Sequence, residues 1–179
     1  MKEVTVLASG TGSNFQNLLF AGVPVTHLVS DNPNAGALNL ATEYGVYWSI
    51  AQFRQPREEW GEDLIRIIGM PDLIICAGFM RILPATVVEA YGDRIINVHP
   101  SLLPAFKGSI DAITEAYELG CRTYGATVHK VTTDVDGGTI LAQHGVNVDD
   151  LTPLSEIKEI VHAIEYEILP NTAKRILNI

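Results

Sequence analysis

The chain has little with which to build a disulfide framework, a membrane span or a nucleic-acid footprint. Its 179 residues include two cysteines, and Cys76 lies within the apolar run Asp72-Leu73-Ile74-Ile75-Cys76-Ala77, the setting of a buried, inert thiol. That scarcity fits a reducing, cytoplasmic compartment. No run approaches the roughly 18 apolar residues that a membrane helix needs, and Met1-Lys2-Glu3-Val4 reads as the approach to a first strand and not as a signal sequence. Basic residues are few and scattered, 12 Lys and Arg against 21 Asp and Glu, for a formal net charge of -9. A nucleic-acid partner demands clustered cations, so none is expected, although a local anion site stays open. The histidines and cysteines show no close-spaced ligand pairs, and no metal site is expected. Repeats, low-complexity segments and charged linkers are lacking too, and the length suits a single domain, 1–179, with one core.

What is present is 47% hydrophobic residues, gathered into short runs. Val4 to Ala8, Val25 to Val29, Val46 to Ile50, Leu73 to Ala77 and Arg94 to Val98 read as buried strands. Between them Asn14 to Phe20, Ala37 to Tyr44, Arg57 to Ile68 and Ala85 to Tyr91 read as helices, each ending near Gly or Pro. This alternation predicts an α/β fold: a single doubly wound, mostly parallel sheet with a Rossmann-like N-terminal half and right-handed crossovers. Beyond residue 100, Ile110 to Leu119 is helical with Gly120 as its stop, and Ala126 to Val131 and Thr139 to Val146 extend the sheet. The paired glycines of Asp134-Val135-Asp136-Gly137-Gly138 permit positive φ at a tight connection. A long final helix is expected, capped by Thr152, with Pro153 at its first position and Ile157, Ile160, Val161, Ile164 and Ile168 as its apolar stripe. Pro170 should kink or end it.

Chemistry concentrates where the fifth strand ends, in Asn97-Val98-His99-Pro100-Ser101-Leu102-Leu103-Pro104. A side-chain period of two puts Asn97 and His99 on one face, and the two prolines should force a stiff, extended loop after them. Capping of neighbouring backbone groups is the plainer role for such residues. The first strand runs into Ser9-Gly10-Thr11-Gly12-Ser13-Asn14 and then a helix, an arrangement that receives phosphate on backbone N–H groups. It is neither a dinucleotide fingerprint, since Phe15 stands where a third glycine belongs, nor a P-loop; a glycine turn capped by Ser13 or Asn14 is the alternative. If Asn97 and His99 take part in proton transfer they need a carboxylate, and Asp136 is the candidate because such residues gather at the carboxyl ends of strands. His129, in a β run, reads as an interior or supporting histidine. Phe79-Met80-Arg81-Ile82-Leu83, following the fourth strand, can form a ligand wall with Arg81 free to meet a carboxylate, or its apolar members can simply pack in the core.

Taken together these blocks closely resemble the glycinamide ribonucleotide formyltransferases of the folate-dependent formyltransferase superfamily, over nearly the whole chain. The resemblance rests on the Ser9 to Asn14 loop, the Pro71-Asp72 to Leu83 block, Asn97 to Pro104, and Gly125-Ala126-Thr127-Val128-His129 through Asp136-Gly137-Gly138. It implies Asn97, His99 and Asp136 as the catalytic set and Gly12, Ser13 and Asn14 as holders of a substrate phosphate. It further implies Glu165 near the acceptor ribose, with Met80, Arg81, Ile82 and Leu83 lining the folate pocket and Arg57 at its entrance. The co-substrate implied is 10-formyltetrahydrofolate and the acceptor a phosphorylated ribosyl amine of purine biosynthesis, with no metal; a monomer or homodimer is expected. Ile110 stands where members often carry a histidine two residues beyond a Pro-Gly step, His162 replaces another polar residue, and the first helix is clipped near Phe20 to Gly22.

The expected reaction is direct formyl transfer through a tetrahedral intermediate. Asn97 and His99 would donate to the formyl oxygen, and Asp136 would order a water that carries the amine proton to the leaving nitrogen. Competing readings are a 10-formyltetrahydrofolate hydrolase, a formyltransferase with another amine acceptor, and a non-catalytic folate or nucleotide binding module.

Overall fold

A computed structural model describes residues 2–179. The chain runs through β1 (Val4–Leu7), α1 (Ser13–Phe20), β2 (Val25–Ser30), α2 (Gly36–Glu43), β3 (Tyr47–Ile50), α3 (Arg57–Ile68) and β4 (Leu73–Cys76). It continues through α4 (Ala85–Tyr91), β5 (Ile95–His99), α5 (Ala112–Glu118), β6 (Thr123–Lys130), β7 (Ile140–Asn147) and α6 (Leu154–Leu177). The strands form one sheet in the order β3-β2-β1-β4-β5-β6-β7. β1 to β5 pair in parallel, while β6 and β7 add antiparallel to β5 and to each other. The expected α/β sheet, mostly parallel, is what forms.

β1 and β4 carry four consecutive buried residues each, Val4–Leu7 and Leu73–Cys76, because helices cover both faces of the sheet and leave no side for polar residues. One face packs Val6, Ile75 and Ile96 against Phe15, Leu18, Val161 and Leu169. The other packs Leu7, Ile74 and Ile95 against Trp60, Leu64, Val87 and Tyr91. Strand order reverses between β1 and β4, which opens the sheet at their carboxyl ends. Among the described residues no helix is long and apolar enough to cross a membrane.

Four local expectations need correction. The segment after His99 is not extended: it folds into turns closed by Ser101 N to the His99 carbonyl (2.9 Å), Ala105 N to that of Leu102 (3.1 Å) and Ser109 N to that of Phe106 (3.1 Å). In the turn after residue 134 the positive φ falls on Asp136 itself (φ 50). Gly138 is required for a different reason, since a Cβ there would overlap the Lys130 carbonyl. Thr152 does not cap α6; Pro153 takes the N-cap position and no side chain bonds there.

Pro170 lies inside α6, which continues to Leu177. A helical proline removes the N–H that would serve the carbonyl four residues back, here that of Tyr166. Asn17 of α1 fills the vacancy, its Nδ2 donating to the Tyr166 carbonyl at 2.8 Å, so the helix survives its proline and α1 is stitched to α6.

Candidate active site

The carboxyl ends of β1, β4 and β5 open into a crevice of about 580 Å³, of ordinary size for a small-molecule site. Gly12, Ser13 and Asn14 line it, as do Met80, Arg81, Ile82 and Leu83 and the side chains of Asn97, His99, His129 and Asp136.

Gly12 is the N-cap of α1 with φ 85, and no side chain caps the helix. Neither Ser13 nor Asn14 therefore plays the capping role, and the N–H groups of the first turn are left for a ligand. A Cβ at Gly12 would collide with Ala37, so this glycine lets the loop close against α2. From α6 comes Glu165, whose carboxylate is 5% exposed. It accepts from Asn14 Nδ2 at 3.2 Å and from His162 Nδ1 at 3.0 Å. Asn14 Oδ1 is buried without a partner, an unmet acceptor that a ligand hydroxyl can serve. The Glu165 hydrogen bond raises the His162 pKa above its ordinary value, against the opposing pull of burial. The stabilisation from this pair is complete below about pH 6.5 and is lost as pH rises through the raised value. His162→Gln should therefore narrow the gap in melting temperature from the native chain between pH 6 and pH 9, the larger gap lying at pH 6; equal gaps would refute the pairing.

β5 and β6 set Asn97 opposite His129 and His99 opposite Thr127. His129 is 2% exposed, and its Nδ1 faces the Lys130 carbonyl at 2.9 Å. A carbonyl only accepts, so Nδ1 carries the proton. In the neutral ring Nε2 is then an acceptor, and Asn97 Nδ2 donates to it at 3.1 Å. The second N–H of that amide remains uncommitted. By the same logic His99 Nε2 donates to the Phe106 carbonyl at 3.1 Å, leaving Nδ1 3.5 Å from Asp136 Oδ2.

Asp136 Oδ1 lies 3.5 Å from His129 Nε2, and Oδ2 accepts the Gly108 N–H at 2.9 Å. The contact with His129 does most to hold the Asp136 carboxyl below the usual carboxylate range; Gly108 N–H and His99 add to it and burial opposes. His129 Nε2 thus faces both an amide donor and a carboxylate. The contact with Asn97, at 3.1 Å, is the shorter of the two. Ile110, in the place of the family histidine, is 93% exposed, and α5 starts after it with Asp111 as cap, accepting Thr114 N at 3.3 Å. Asp136 finds its partners without it.

In the wall after β4, Phe79 stacks on Trp60 at 6.4 Å and packs against the core, whereas Met80 and Ile82 are 66% and 52% exposed. Core packing holds for the first of these three side chains only. Arg81 is not free: its Nε donates to Asp31 Oδ2 at 2.8 Å. Arg57 opens α3 and lies outside the crevice lining. His129 was undervalued by the sequence, where one signal pointed to it: if β6 pairs antiparallel with β5, alternation carries a β6 histidine to Asn97.

An open α/β sheet whose crevice holds an anion-suited loop, an Asn–His–Asp group and an apolar wall is the plan of an enzyme that brings two small molecules together. The family model described as formyl transferase matches residues 2–173. The phosphoribosylglycinamide formyltransferase of Bacillus subtilis (strain 168) is 34% identical, with 100% of this chain and 96% of the relative covered. That of Escherichia coli (strain K12) is 36% identical, with 90% and 82% covered. The crystal structure of the Bacillus halodurans phosphoribosylglycinamide formyltransferase superposes with a TM-score of 0.92 at 28% identity, covering 98% of this chain and 95% of that one. The chain belongs to the formyl transferase family, among the phosphoribosylglycinamide formyltransferases.

Proposed function

We propose that the chain, acting as one domain over residues 1–179, transfers the formyl group of 10-formyltetrahydrofolate to the amine of glycinamide ribonucleotide in purine biosynthesis. The observation that carries this reading is the Asn97, His99 and Asp136 grouping, which shares one crevice with a loop suited to phosphate and a wall suited to a flat apolar ring. Gly12, Ser13 and Asn14 receive the phosphate, and Glu165, fixed by Asn14 and His162, takes the ribose hydroxyls. Met80, Ile82 and Leu83 contact the folate, with Arg81 behind them; Arg57 serves the folate only if the tail extends past the crevice.

The amine attacks the formyl carbon and negative charge grows on the formyl oxygen. The uncommitted Asn97 N–H donates to it, as does the Nδ1–H of His99 in its doubly protonated form, with Nε2–H on the Phe106 carbonyl and the Asp136 carboxylate 3.5 Å from Nδ1. Such donors act best when they need no reorganisation during the reaction, and His129 supplies that by fixing the orientation of the Asn97 amide. Asp136 orders a water that takes the amine proton and delivers it to the folate nitrogen as the C–N bond breaks. No covalent formyl-enzyme is required. The test is absorbance-monitored release of tetrahydrofolate from the 10-formyl donor with and without glycinamide ribonucleotide. Release only with the nucleotide is expected; release without it makes the chain a hydrolase, and silence in both removes the assignment.

A further inference from the structure

We infer that Asp31, a buried carboxylate outside the crevice lining, is the positioning residue of the formyl-donor wall, clamping Met80-Arg81 to the ends of β1 and β2. The inference rests on the donor reading of that wall. Asp31 is the first residue beyond β2, and its side chain is 4% exposed. A carboxylate so placed is costly unless its oxygens are paired, and both are. Ser9 Oγ donates to Oδ1 and Arg81 Nε donates to Oδ2 at 2.8 Å.

Ser9 completes the clamp. Its hydroxyl oxygen accepts the Met80 backbone N–H at 2.8 Å, its own N–H donates to the Gly78 carbonyl at 3.0 Å, and its carbonyl accepts from Asn32 Nδ2 at 3.1 Å. The Arg81 guanidinium lies 4.8 Å from the centre of the Phe53 ring. With Arg81 pulled toward Asp31, Met80 and Ile82 are left exposed on the crevice side. Loops at strand ends are ordinarily mobile. Here one carboxylate and one hydroxyl fix the backbone before a ligand arrives, which removes part of the ordering cost of binding. Nothing in this arrangement touches the reacting atoms, so the effect belongs to donor affinity.

The experiment compares the native chain with D31N, R81Q and the D31N/R81Q double variant in steady-state kinetics against both substrates. The near-isosteric D31N is expected to raise the donor KM on the order of tenfold, with kcat and the amine KM within about twofold of native. The double variant should be no worse than the worse single one, because both remove the same contact. A donor KM within twofold of native in D31N, a parallel shift of kcat and both KM values, or multiplicative effects in the double variant would overturn the proposal. Hydrogen exchange of the 79–83 amides reads the clamp without turnover: exchange about tenfold faster in D31N and in S9A is expected, and unchanged exchange overturns it. Turnover by the native chain, measured first, tests the donor reading separately.

Discussion

His99→Ala is expected to lower turnover by about 100- to 10,000-fold while the protein remains folded by circular dichroism. The side chain is 7% exposed and sits where two demands meet. Nε2 holds the turn that follows β5 through the Phe106 carbonyl, and Nδ1 is aimed between Asp136 and the crevice. Alanine supplies no donor for the charge that grows on the formyl oxygen, and Asn97 alone must carry it. The loss should appear mainly in kcat, since a group that acts in the transition state contributes little to ground-state binding. Turnover close to native would remove His99 from the mechanism.

Asp136→Asn should cost a similar factor, about 100-fold or more, and is the cleaner test of the two. The residue sits at φ 50, a left-handed conformation that asparagine tolerates better than most residues. The amide oxygen can also keep the Gly108 N–H bond, so the turn should survive. What disappears is the negative charge that orders the proton-carrying water and faces both His99 and His129. In the native chain the carboxyl is held below its ordinary value. Its charge is present above about pH 3.9 and is lost only as pH falls through that lowered value. Activity against pH should thus show no Asp136 limb in the neutral range, and D136N should be depressed uniformly from pH 6 to 9. A variant that recovers at alkaline pH would show that another group moves the proton.

The sheet was readable from sequence because its signal is local: short apolar runs alternating with helical segments leave few architectures besides a doubly wound one. Asn97 and His99 were equally plain, as the period of two at a strand end places both on one face. Reading failed where the deciding contact was distant. Asp31 and Arg81 are 50 residues apart, and nothing near Arg81 says that its charge is already taken. Propensity places the positive φ on Gly137 and Gly138, yet Asp136 adopts it, its carboxylate facing the Gly108 N–H and two histidines. Thr152 looked like a cap by composition alone, while the backbone of Pro153 occupied the position. Each error belongs to tertiary context overriding a local preference.

The Asn17 to Tyr166 bond also constrains how this sequence can change over generations. With Pro170 in place, losing Asn17 strands a carbonyl in the middle of α6. Had the proline given way first to a residue with its own N–H, the helix would serve that carbonyl and Asn17 would be free to vary. The two replacements are therefore tolerated in one order and penalised in the other, so descendants of this chain inherit a path as well as a pair of residues.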